Sequence, residues 1–82
     1  MFRNILLFVM LLVSFSAFAV NVNTASTEDL AKELKGVGIS KAAAIVSYRE
    51  EHGPFKAMAD LTKVKGIGSA TVDKNRENIK LK

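Results

Sequence analysis

Two short stretches pair glycine with lysine in a pattern suited to holding an anion. They are "LKGVGISKAAAI", residues 34 to 45, and "VKGIGSATVDKN", residues 64 to 75. Each writes lysine, glycine, one apolar residue and glycine: Lys35-Gly36-Val37-Gly38 and Lys65-Gly66-Ile67-Gly68. The first glycine of such a turn can take backbone angles that a side chain forbids. The apolar residue can point inward and pin the turn between two helices. The second glycine leaves the next helix's free N–H groups open to approach. Those groups, together with the positive end of the helix dipole, attract anions. Lys41 and Thr71, each three residues past the second glycine, can add contacts, while Lys35 and Lys65 supply charge beside the turns.

One Gly-x-Gly is weak grounds for a binding site, because it also serves as a plain helix cap and tight turn. Two copies in register say more. Two phosphate sites on one face suit a polymer of phosphates better than a small ligand, and double-stranded DNA presents phosphates along both sides of a groove. Contacts of that kind position a protein without reading bases. The binding expected is therefore independent of sequence and sensitive to salt.

Helices must hold these turns. Ser26 is a suitable N-cap with Asp29 three positions on, and Glu28 and Asp29 favour the positive end of a helix. A first helix is expected over 27–34, stopped by the glycines. A second is expected over 40–51, where Ala42, Ile45, Val46 and Arg49 recur at helical spacing, and Gly53-Pro54 ends it. Phe55 reads as a core plug. A third, short helix is expected over 58–64, burying Leu61 and Val64, and a fourth over 69–79, burying Val72 and Ile79. "VNVNTAS" reads as an extended lead-in and the last residues, "KLK", as a short tail. Shifting the chain by thirty positions overlays Ala31 on Leu61, Leu34 on Val64 and Ala42 on Val72, as well as both turns. The overlay weakens where Ile45 meets Asn75 and Arg49 meets Ile79. An amide buried at Asn75 would need a hydrogen-bond partner.

Residues 1–19 read as a secretory signal. Arg3 gives a positive start, Ile5 to Val13 is unbroken apolar sequence, and Ala17 to Ala19 includes the small residues that a signal peptidase requires. The apolar run is short beside the roughly 20 residues of a membrane span. Cleavage after Ala19 is expected, with an uncleaved anchor as the alternative. Either places the working domain outside the cytoplasmic membrane; if the leader is removed, the domain is in the periplasm with no stable membrane insertion. Residues 20–82 then form one domain, near the lower size limit for a chain that folds on its own core. The chain has no cysteine, so helix packing rather than disulfides must hold it. Its net charge is +4, of which Arg3 is the leader's only contribution. That balance is compatible with an anionic partner but does not select one.

The two stretches, with "VNVNTAS", "YREEHGPF" and "DLTKVKGIG" around them, resemble paired helix-hairpin-helix motifs, and the chain from about 20 to 80 resembles the ComEA family of secreted competence proteins. The resemblance implies an all-α fold, with two helix-hairpin-helix motifs packed as one compact (HhH)2 domain after a signal peptide. It also implies sequence-independent binding of double-stranded DNA in support of DNA uptake during natural transformation, with components of the uptake machinery as further partners. Carried over by position, the DNA-contacting residues are Lys35, Gly36, Val37, Gly38, Ser40, Lys41, Lys65, Gly66, Ile67, Gly68, Ala70 and Thr71. The family's aliphatic residue is replaced by Asn75 in the second copy, which puts equal contribution by the two turns in doubt.

Other residues fit plainer roles. His52, the sole histidine, suits a helix end. Tyr48 suits packing. Arg49 is suited equally to phosphate, to an acid, or to laying its stem on the core. Lys32, Lys56 and Lys74 read as solvated lysines. Enzyme activity is not expected: the sequence has no metal-binding spacing, and a domain this small has little room for a pocket that receives a flipped base. No cofactor is expected. The competing reading is an envelope protein-interaction module with the same fold and no DNA binding. Such a module would show acids or an exposed apolar patch beside the turns.

Overall fold

The computed structural model describes residues 19–82. The expected signal segment, apart from Ala19, lies outside the described residues. The chain order is a two-residue strand β1 (Val20–Asn21), helix α1 (Thr27–Glu33), helix α2 (Ile39–His52), a 3-10 helix (Met58–Lys63), helix α3 (Ser69–Lys74), a second 3-10 turn (Arg76–Asn78) and strand β2 (Ile79–Lys80).

Local chemistry sets these boundaries. Ser26 Oγ accepts the Asp29 N–H at 3.1 Å, capping α1, and Glu28 and Asp29 occupy its first turn. Alanine-rich α2 ends where Gly53 turns to φ +89°, its N–H still bonded to the Arg49 carbonyl at 2.9 Å. Pro54 follows and cannot extend the helix. Asp60 Oδ2 accepts the N–H groups of Lys56 (3.1 Å) and Ala57 (3.2 Å) and so caps the 3-10 helix. These amides, Lys56 first, and the nearby Lys63 ammonium hold the Asp60 carboxyl below its usual range.

The molecule is mostly helical, but two expectations need correction. First, the fold is not purely α. β1 and β2 pair in parallel, Val20 opposite Ile79 and Asn21 opposite Lys80. The lead-in therefore supplies one strand of a ladder, and Ile79 with Lys80, the first residue of the expected tail, supplies the other. Second, the fourth helix stops at Lys74, not Ile79. The cause is Asn75. Its own N–H turns to the Val72 carbonyl (3.1 Å), and its side-chain amide takes the Thr71 carbonyl (2.9 Å) that a continuing α-helix would have bonded through the backbone. Ile79 is buried as expected, but from a strand. The third helix is a 3-10 helix, one residue shorter than its expected span.

One apolar cluster joins both strands, the three α-helices and the first 3-10 helix, while the second 3-10 turn buries none of its residues. It contains Val20, Val22, Leu30, Leu34, Val37, Ala42, Ile45, Phe55, Leu61, Val64, Ile67, Val72 and Ile79. Tyr48 stacks on Phe55 with ring centroids 5.4 Å apart, which bears out its packing role. Asn23 ties three segments together. Its amide donates to the carbonyls of Phe55 (3.0 Å) and Leu81 (2.8 Å), and its oxygen accepts the Phe55 N–H at 2.7 Å. Among the described residues no helix is long and apolar enough to cross a membrane.

Candidate nucleic-acid interface

The two Gly-x-Gly turns have the same construction. In the first, the Leu34 carbonyl accepts the Val37 N–H (3.4 Å); in the second, the Val64 carbonyl accepts the Ile67 N–H (3.0 Å). Gly36 and Gly66 sit at φ +76° and +91°, where a side chain is strained, so glycine is required by the backbone. Val37 and Ile67 point inward. Both are buried, and both line a single apolar pocket with Leu34, Ile45, Leu61 and Val72. Any contact they make to a ligand runs through their backbone.

Gly38 and Gly68 differ from their partners. Their φ values of −84° and −100° suit any residue, but a Cβ at either would meet nothing within 4 Å. Each caps the following helix without a side-chain hydrogen bond, and neither helix has an acid in its first turn. The first intrahelical bonds are Ala42 N–H to the Gly38 carbonyl (2.9 Å) and Val72 N–H to the Gly68 carbonyl (3.1 Å). The amides of 39–41 and 69–71 precede these bonds. α1, by contrast, satisfies one of its opening amides, the Asp29 N–H, with Ser26 and sets two acids in its first turn. Among the described residues the helix starts with neither a side-chain cap nor a first-turn acid are thus the two after the glycine turns, and α2, at 14 residues, is the longer of the two helices that follow them.

The remaining site residues flank these openings. Lys35, Ser40, Lys41, Lys65 and Ala70 are exposed. Thr71 is half-buried and helps line the apolar pocket, so it is less accessible than Lys41. The ion pairs among the described residues are His52–Glu51 (3.9 Å), Lys63–Asp60 (3.6 Å) and Arg76–Asp73 (3.0 Å), which leaves Lys35, Lys41 and Lys65 without a carboxylate. Lys41 crosses between the motifs. A Cβ placed on Gly66 would lie 3.4 Å from its Cγ, so the stem of a first-copy lysine rests on the second turn.

Arg49 is engaged elsewhere: its guanidinium donates to the Val22 carbonyl at 2.9 Å and binds the lead-in to α2. His52 lies at the far end of α2 from Gly38, against the Tyr48 ring at 4.3 Å.

Asn75, the departure from the repeat, has the partners its burial demands. It is only 1% exposed. Its oxygen accepts the Lys35 N–H (2.8 Å), and its amide donates to the Lys35 carbonyl (2.9 Å) as well as to Thr71. The end of α3 is thereby clamped to the residue that opens the first turn. Sequence reasoning flagged the need for a partner but not that partner. It also missed Ile39, which opens α2 beside Gly38 with 59% of its surface exposed.

Comparison with known proteins agrees with this geometry. Residues 16–80 match the family model described as "Helix-hairpin-helix motif". An uncharacterized protein of Haemophilus influenzae is 50% identical over 60 residues, covering 73% of this chain and 54% of that protein. ComE operon protein 1 of Bacillus subtilis is 49% identical over 63 residues, 77% of this chain and 30% of its own length. The human endonuclease/exonuclease/phosphatase family domain-containing protein 1 is 38% identical over 60 residues, 73% of this chain and 10% of that protein. The chain thus spans about half the length of the Haemophilus relative and less of the others. With glycine turns joining helix to helix twice, and a family match across nearly every described residue, this chain belongs to the helix-hairpin-helix family.

Proposed function

We propose that the chain is a non-catalytic binder of double-stranded DNA that grips phosphates through both glycine turns and reads no bases. The two motifs act as an (HhH)2 pair, with Lys35, Lys41 and Lys65 supplying charge, Ser40, Ala70 and Thr71 flanking the open amides, and Val37 and Ile67 pinning the turns. One observation carries this reading. Among the described residues the helix starts without a side-chain cap or a first-turn acid are the two that follow Gly38 and Gly68, where a phosphate meets no side chain at the glycine.

Segments 34–49 and 64–72 also contain no acid. The large apolar side chain exposed among the described residues is Ile39 alone, which is a single contact rather than the patch a protein-docking module would present. The resemblance to the ComEA family, together with a relative named for the ComE operon, supports a role in DNA uptake, with uptake-machinery components as partners. The leader supports export and work in the periplasm, without membrane insertion once it is removed. There the domain would hold incoming DNA and oppose its backward diffusion.

The test is the double variant Lys41→Glu/Lys65→Glu. It is expected to keep its helical circular dichroism and to lose DNA affinity, with the log–log salt slope falling by about 1.8 for two lost phosphate contacts. Wild-type affinity in the folded double variant would refute the assignment.

A further inference from the structure

The structure adds a residue to the first turn that belongs to the other motif. Lys74 closes α3 and is exposed. A Cβ built on Gly36 would have the Lys74 Nζ at 3.8 Å as its nearest neighbour outside the turn. The ammonium of a second-copy lysine therefore stands over the first turn. It reaches there because Asn75, the next residue, is bonded to both backbone groups of Lys35. Lys74 enters none of the three ion pairs among the described residues. The arrangement is reciprocal with that of Lys41, whose stem crosses to Gly66. Gly36 and Gly66 serve twice: they bend the chain, and they leave the near approach free for a lysine from the opposite motif.

An ammonium held over a turn, with no carboxylate to neutralise it, is a site for an oxygen anion. The open amides after Gly38 and the charge of Lys35 lie on the same turn. We propose that Lys74 is a phosphate ligand of the first turn, so that each turn grips DNA with a lysine lent by the other motif. This rests on the DNA reading above. The two turns then form one composite surface, and the break in the repeat at Asn75 becomes the device that delivers Lys74. An aliphatic residue at that position could make none of these hydrogen bonds to Lys35.

The experiment compares Lys74→Gln with Lys56→Gln, which removes the same charge beyond the far end of α2 from Gly38. Both are measured with the wild type against a duplex of arbitrary sequence across a salt series. Lys74→Gln is expected to weaken binding several-fold and to reduce the log–log slope by about 0.9, the signature of one lost phosphate contact. Lys56→Gln is expected to keep the wild-type slope, and Lys74→Arg to restore it. If the wild type binds with a steep salt dependence and Lys74→Gln matches Lys56→Gln, the role of Lys74 is refuted while the DNA reading stands. If the wild type does not bind, both fall together.

Discussion

Gly36 and Gly38 stand two positions apart and serve different ends. Gly36 is fixed by its backbone at φ +76°, and Gly38, at φ −84° with open space where a Cβ would go, is fixed by none. Substituting alanine should separate the two roles. Gly36→Ala is expected to cost about 1–2 kcal/mol of stability, the strain of a side chain in the left-handed region. Gly38→Ala is expected to cost less than about 1 kcal/mol and to weaken DNA binding, because its methyl group occupies the path of the phosphate. Urea denaturation and duplex binding of both variants check this. A Gly38→Ala protein that binds as the wild type does would show that the openness of that glycine is incidental. Asn75 acts through a side-chain bond rather than through its backbone angles. A polar residue at an apolar position of a repeat signals a specific bond, and here the bond is to Lys35 across 40 positions of sequence.

Among the elements, the helices whose ends carry chemical punctuation were the most legible. Ser26, the glycine pairs and Gly53-Pro54 placed α1 and α2 within a residue or so of their observed limits. Both turns were legible as well, since Lys-Gly-apolar-Gly occurs twice with a shared apolar register. Legibility failed where tertiary contacts override local pattern. Val72 and Ile79 keep helical spacing, yet the chain leaves the α-helix at Asn75 because the side chain of that residue has better partners in the first turn. The lead-in read as extended, but the pairing of Val20–Asn21 was missed for a similar reason. Two residues hold no readable period, and their partner lies at the opposite end of the chain. The crossing lysines were hidden too. Nothing in the spacing of Lys41 or Lys74 says that each reaches the turn of the other copy.

At the scale of the whole molecule, the two ends of the domain close on each other. The parallel pair, the Arg49 bond to Val22 and the Asn23 bonds to Phe55 and Leu81 fasten the lead-in across the core. A domain of this size has only a few kcal/mol of net stability, so one such fastening is a large share. Asn23→Ala is expected to lose about 1–3 kcal/mol, because the Phe55 N–H and carbonyl are left without their partner. Its DNA affinity, measured where the variant is folded, should be nearly unchanged, since Asn23 bonds none of the turn residues. Thermal unfolding with and without duplex would show the two effects apart; a variant as stable as the wild type would mean that the closure of the ends contributes little. Whether the turns grip phosphates is decided by titrating purified residues 20–82 with a duplex of unrelated sequence over a range of salt concentrations. A gripped phosphate backbone predicts an affinity that falls linearly on log–log axes, with a slope of roughly −0.9 for each contact and little change between duplex sequences. A folded domain that binds no duplex even at low salt would contradict it.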